Sequence, residues 1–184
     1  MALIAPPNLD DIDNGLRAEY ESGRARFDHF DLLRRVLVRV PAAFRAADGM
    51  YGLIMERGLL GREAKEAIFV SCAGVRHCSY GQAAHGAWLV EHAGWTVNEV
   101  ESLARGEELA RHSASERALL AFARKVAAAA YRTVERDIEM MREAGFATPE
   151  IVEALTVVSL SGWMNGYAEA LGLEDTDVSG GADS

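Results

Sequence analysis

At 184 residues, with 49% hydrophobic and 26% charged side chains, the chain has the length and balance of one globular domain that buries its own core. A net charge of −9 argues against a nucleic-acid partner, because neutralising phosphates needs a Lys/Arg surplus, and an acidic membrane surface would repel it too. No apolar run approaches the roughly 18–20 residues of a membrane helix, which excludes a span of that kind.

The first twenty residues are acidic and turn-rich (Asn8-Leu9-Asp10-Asp11-Ile12-Asp13) and read as an extended arm. With a first helix, this arm makes up residues 1–34. Pro41 suits the first turn of a helix running to about Glu56, with Gly58 beyond its end. Gly61 to Ala73 reads as the next helix, stopped by Gly74. Ser79 and Gln82 have capping-box spacing for a helix to about His92, which Gly94 ends. The same spacing recurs at Thr96 and Glu99, before a short helix to about Ala104, and at Ser113 and Glu116, before Ala118–Tyr131. Thr133 begins another short helix ending at Gly145. Thr148 and Pro149 open a last helix, Glu150 to about Leu171. No long stretch alternates apolar and polar with period two, so the fold class is all-α. The last helix is apolar nearly all round and calls for cover on every side, which points to a subunit interface. Residues 173–184 read as a flexible acidic tail.

The start, Met1-Ala2-Leu3-Ile4-Ala5-Pro6-Pro7, lacks the basic region and length of a signal peptide. Cys72 and Cys78 are too few for a disulfide framework. Both features fit a cytoplasmic protein whose cysteines are thiols.

The chemistry concentrates between Glu66 and His85. A tight connection from Gly74 to His77 makes the two flanking helices antiparallel neighbours. Glu66 lies about two turns before the end of the first, and His85 about one and a half turns into the second. They can therefore face one another, and a carboxylate beside an imidazole prepares a general base. Cys78, at the start of the second helix beside Arg76 and His77, has surroundings that favour a thiolate. Cys72 lies in an apolar run and reads as an inert core thiol. Gly81, between Cys78 and His85, leaves a hole that water or substrate can fill, contacted by Cys78, His85, Glu66 and Tyr80. Each member also has a plain structural reading: a small hydrophobe, a buried ion pair, a close helix contact.

No metal site is expected. Cys78, His85 and His92 are spaced by sevens along one helix, too far apart for bonds of ~2 Å to one ion. His29 and His112 have no partner at a telling spacing.

The pattern Glu66-x11-Cys78-Ser79-Tyr80-Gly81-x3-His85 resembles the Glu-x11-Cys-x2-Cys-x3-His signature of AhpD-like alkylhydroperoxidases, members of the carboxymuconolactone decarboxylase-like superfamily, with Gly81 at the second Cys. Gly94-Trp95-Thr96-Val97-Asn98-Glu99-Val100 and Ala144-Gly145-Phe146-Ala147-Thr148-Pro149-Glu150-Ile151 also resemble it, and the likeness covers roughly residues 35–172. The resemblance implies an AhpD-like helical bundle that assembles into trimers or hexamers and needs no cofactor. In the peroxidase branch the second Cys attacks the peroxide, the first resolves it, and His and Glu relay protons. With Gly81 at the attacking position, that two-thiol cycle cannot run in its usual form. The decarboxylase branch needs no Cys pair, and its acid/base positions match His85 and Glu66. The leading reading is thus a decarboxylase-like enzyme using a His/Glu proton relay on a small oxygenated, carboxylated molecule. Its catalytic residues are Glu66, Cys78 and His85, and its pocket residues are Tyr80, Gly81 and Gln82. The alternatives are a thiol peroxidase with Cys78 as sole redox thiol, recycled by an external dithiol reductant, and a non-catalytic ligand-binding oligomer.

Overall fold

The computed structural model describes residues 2–24 and 28–178. Among them are nine α-helices: α1 (Asn14–Arg24), α2 (Asp31–Leu37), α3 (Pro41–Glu56), α4 (Arg62–Arg76), α5 (Ser79–Ala93), α6 (Val97–Arg105), α7 (Ala114–Ala129), α8 (Glu135–Glu143) and α9 (Thr148–Ala170). No strand occurs among the described residues, and no helix is long and apolar enough to cross a membrane.

Helix α4 is the centre of the bundle and packs against α5, α6, α7 and α9. Every residue from Lys65 to Ala73 is buried. Ile68, Phe69 and Val70 are fully enclosed, each contributing on the order of 1.5–3 kcal/mol by burial. The buried cation Lys65 is compensated: its Nζ donates to the carbonyl of Ile54 (2.7 Å) and to that of Arg57, and it is ion-paired with Glu153 Oε1 at 2.5 Å. Glu153 Oε2 also accepts from the backbone N–H groups of Leu59 and Leu60, so α9 fastens the connection between α3 and α4.

Several ends match their sequence signals. Thr96 and Ser113 form reciprocal capping boxes with Glu99 and Glu116. The helix after Ser113 starts at once, at Ala114, and stops at Ala129, where a 3-10 turn takes over. Gly74 does not stop α4. The helix runs to Arg76, and His77 takes the left-handed conformation (φ 59°) that closes it, with the Cys78 N–H donating to the Ala73 carbonyl at 2.9 Å. Gly74 is instead a point of close approach, where an added Cβ would lie 1.9 Å from the Ala104 carbonyl oxygen. That obstacle is backbone, so Gly74→Ala forces α6 away from α4. The expected cost is at the upper end of about 1–3 kcal/mol, read as a lowered urea midpoint with an unchanged slope.

The amino-terminal segment is more structured than an extended arm. Helix α1 begins at Asn14, after Asp13 Oδ1 has accepted from the N–H groups of Gly15 and Leu16, and it buries Leu16 and Tyr20. Arg34 joins α1, α2 and α3, donating to Asp48 at 2.9 and 2.7 Å and to the Tyr20 carbonyl at 3.1 Å. The Tyr20 hydroxyl donates to buried Asp31. The Leu3 N–H donates to the Leu171 carbonyl, which ties the start of the chain to the end of α9.

The subunit itself covers most of α9, burying Ile151, Ala154, Val157, Val158, Leu160, Met164 and Ala168 and leaving Val152 and Tyr167 exposed. The acidic tail begins as ordered structure: Leu173 is buried, and the turn Asp175–Asp177 rests against α5. The rest of the expected flexible segment, 179–184, lies outside the described residues.

Candidate active site

The antiparallel α4–α5 pair brings Glu66 and His85 together. Glu66 is fully buried, His85 is 1% exposed, and Nδ1 of the imidazole lies 2.5 Å from Glu66 Oε2. The other carboxylate oxygen accepts from Arg62 Nε at 2.5 Å, one turn earlier on α4. Arg62 continues outward, donating to the Tyr51 hydroxyl at 3.1 Å and lying over the Trp88 ring. A line of polar groups thus runs Arg62–Glu66–His85 through an otherwise apolar centre.

Aromatic rings hold the imidazole in place. Phe69 stacks on it with centroids 3.9 Å apart and planes 22° from parallel. Phe30 approaches at 4.9 Å and Tyr51 at 6.2 Å, and these two also pack on each other. Phe30 belongs to the 3-10 turn Asp28–Phe30 ahead of α2, so that turn covers the imidazole. Burial pushes the His85 pKa below its ordinary value of 6.5, against the opposing pull of Glu66, and the charges of Arg62 and His29 act in the same direction as burial. A neutral imidazole whose Nδ1–H donates to Glu66 carries its lone pair on Nε2.

Cys78 is the N-cap of α5, and its Sγ accepts from the Gly81 N–H at 3.4 Å, so the expected helix-start position holds. Its expected thiolate character does not. Burial raises the Cys78 thiol above its ordinary value, outweighing the Gly81 N–H and Arg76, which favour the anion. The thiol itself donates to the Asn165 carbonyl at 3.8 Å. Cys72 is likewise buried and pushed up to about 12, chiefly by burial, as expected of a core thiol. Both cysteines are free thiols.

The hole expected at Gly81 is filled. An added Cβ there would lie 2.1 Å from Asn165 Oδ1 and 3.2 Å from the Ala73 Cβ. Asn165 is itself buried and held by a 3.0 Å bond from its Nδ2 to Ser161 Oγ. Helix α9 therefore occupies the space that a second cysteine side chain would need. Gly81→Cys is expected to cost about 1–3 kcal/mol, and Asn165→Ala to recover a large part of it. In a double-mutant cycle read by urea unfolding, additive effects would show that Asn165 is not the obstacle.

Tyr80 is buried within the core. Gln82 faces away from His85. It lines a cleft of about 340 Å³ between α5 and α6 with Ala83, Gly86, Val90, Val97 and Val100, and neither Glu66, Cys78 nor His85 borders that cleft. Gly81 and Gln82 thus do not join the Glu66–His85 pair as pocket residues. Arg62 is the residue that sequence reasoning missed, although its spacing of four from Glu66 on one helix was a usable signal. His29 was also passed over. Its Nε2 lies 3.4 Å from Glu91 Oε2 on α5, beside the ring that covers His85.

Comparison with solved structures shows that this arrangement sits in a known fold. An uncharacterized peroxidase-related protein from Ralstonia eutropha JMP134, described as an alkylhydroperoxidase AhpD core, matches with a TM-score of 0.83 and 24% identity, over 94% of this chain and 91% of that one. A peroxidase-related protein from Silicibacter sp. TM1040 matches with a TM-score of 0.84 and 22% identity, over 94% and 90%. The debrominase Bmp8, as a cysteine-to-alanine variant in complex with 2,3,4-tribromopyrrole, matches with a TM-score of 0.75 and 14% identity, over 97% and 96%. No protein-family model matched the chain, and no curated protein did. The chain thus shares the all-helical fold of these AhpD-core and peroxidase-related structures.

Proposed function

We propose that this chain is an enzyme that moves protons at His85 on a small oxygenated, carboxylated molecule, in a decarboxylation or an isomerisation. The observation that carries this reading is the buried 2.5 Å contact between His85 and Glu66, with Arg62 holding the far side of the carboxylate. A neutral imidazole with its Nδ1–H anchored presents Nε2 as a base. In an isomerisation, Nε2 takes a proton from the carbon next to a carbonyl, the electron pair moves into the enolate, and the imidazolium returns the proton at another carbon. In a decarboxylation, Nε2 first takes the proton of the substrate's carboxyl group, the bond to the carboxylate carbon breaks, CO2 leaves, and the imidazolium returns that proton to the carbanion. Glu66 stabilises the imidazolium in both, and Arg62 keeps Glu66 oriented. Phe30, Tyr51 and Phe69 hold the His85 ring in a fixed orientation. A debrominase with a small ring bound to the same fold supports a small-molecule substrate.

Thiol peroxidase chemistry has less support. The Cys78 thiol is buried and raised, it donates to a backbone carbonyl, and Asn165 blocks the place of a second thiol. Self-association into a trimer or hexamer belongs to the same reading. It is supported by the exposed apolar residues Val152 and Tyr167 on α9 and Val97 on α6, and sedimentation equilibrium would measure it.

The test is a panel of small carboxylated lactones and keto acids, followed by CO2 release and by proton NMR, alongside hydroperoxide consumption with a dithiol. Turnover of a carboxylated substrate that survives Cys78→Ala and is lost in His85→Gln is the expected result. Hydroperoxide turnover lost in Cys78→Ser would replace this reading with the one-thiol peroxidase. No turnover of any substrate would favour a ligand-binding oligomer.

A further inference from the structure

Outside the Glu66–His85 pair, another group of chemistry-bearing side chains converges among the described residues. His29 comes from the turn Asp28–Phe30, and Glu91 and His92 come from the last turn of α5. Their ligand atoms all lie within 4.8 Å of one another. Glu91 Oε2 sits between the two imidazoles, 3.4 Å from His29 Nε2 and 3.8 Å from His92 Nε2. Two ligand atoms at about 2.0–2.2 Å from a tetrahedral ion are about 3.3–3.5 Å apart, so the first separation already fits and the second is close. His92 and Glu91 are about half exposed, so their side chains can close the remaining gap without moving backbone.

We propose that His29, Glu91 and His92 bind a divalent transition-metal ion. Two imidazoles and one carboxylate suit Zn2+, Co2+, Ni2+ or Cu2+, whereas Mg2+ and Ca2+ prefer oxygen ligands. Three protein ligands leave at least one position for water or another donor. His92 is set against the Trp88 ring, centroids 5.2 Å apart, which limits the positions its imidazole can take. The site joins two elements distant in sequence. The residue after His29 is Phe30, whose ring packs on His85. An ion here fastens the covering turn to α5, and it acts on the relay by holding that cover in place, without touching His85.

The experiment uses the full chain, stripped with a chelator and dialysed, then titrated with Co2+ and followed by its visible absorption, with Zn2+ titrated by calorimetry. One ion per chain is expected, with a Zn2+-dependent rise in Tm. His29→Gln and His92→Gln should each weaken binding by at least about tenfold, the lower end of what even outer partners of a metal site contribute. His77→Gln, at an exposed histidine away from the cluster, should bind as wild type. Because His92 is exposed, its variant remains folded, and circular dichroism confirms this for both. Absence of binding, binding unchanged in the two cluster variants, or equal loss in His77→Gln would each overturn the proposal. None of these readouts requires turnover, so failure here leaves the proton-transfer reading standing.

Discussion

Glu66→Ala is expected to lower the unfolding free energy by about 3–5 kcal/mol, the range for removing one member of a buried charged pair. The loss has three sources. The His85 Nδ1–H loses its acceptor in a place water does not reach, which by itself costs about 1–3 kcal/mol. Arg62 keeps its bond to the Tyr51 hydroxyl but loses the carboxylate that balances its charge. The truncated side chain also leaves a void in the most enclosed part of α4. Glu66→Gln keeps the volume and one acceptor, and should cost clearly less. Urea unfolding of the two variants and wild type measures this. A cost below about 1 kcal/mol for Glu66→Ala would mean that water reaches the pair.

His85→Gln is expected to reduce turnover by about 10²–10⁴-fold, the usual contribution of a positioned acid or base, while the protein stays folded. Wild-type activity should show an acid limb with a pKa below 6.5, because burial favours the neutral imidazole. The same shift makes stability depend on pH. The unfolded chain binds a proton at His85 near pH 6.5, and the folded chain binds it only at lower pH. Between those two values the unfolded state holds more protons, so stability falls as pH drops below 6.5 and levels off below the folded pKa. His85→Gln should flatten that part of the stability curve. An unchanged acid limb in Glu66→Gln would show that Glu66 does not influence the base.

The facing of Glu66 and His85 was legible in the sequence because it depends on little more than helix rise and a tight connection. Both lie on helices with clear apolar patterns, and the turn at His77 is short enough to force antiparallel packing. Capping boxes at Thr96 and Ser113 were legible for a similar reason, since each is complete within four residues. What failed depended on distant neighbours. Gly81 reads as a hole until Asn165, from another helix, is known to fill it. Gly74 reads as a helix stop until Ala104 is known to lie against it. Cys78 does sit at a helix start, but burial under α9 outweighs that position.

The covering turn was hidden for the same reason. Phe30 and His29 stand in a polar stretch without helical periodicity, and their partners His85 and Glu91 are more than fifty residues away. A first helix was expected within residues 1–34, but its start at Asn14 was not, because α1 is fixed by the distant Arg34 and Asp31 bonds to Tyr20. Arg62 could have been found, because a cation four residues from a buried acid on one helix is a standard pairing.

The most direct measurement is the titration of His85 by nitrogen-detected NMR, using His85→Gln to assign its signals. A neutral ring at pH 7 with the proton on Nδ1, and a pKa below 6.5, is the expected result. An imidazolium at pH 7, or a neutral ring with its proton on Nε2, would contradict the assignment of Nε2 as the base.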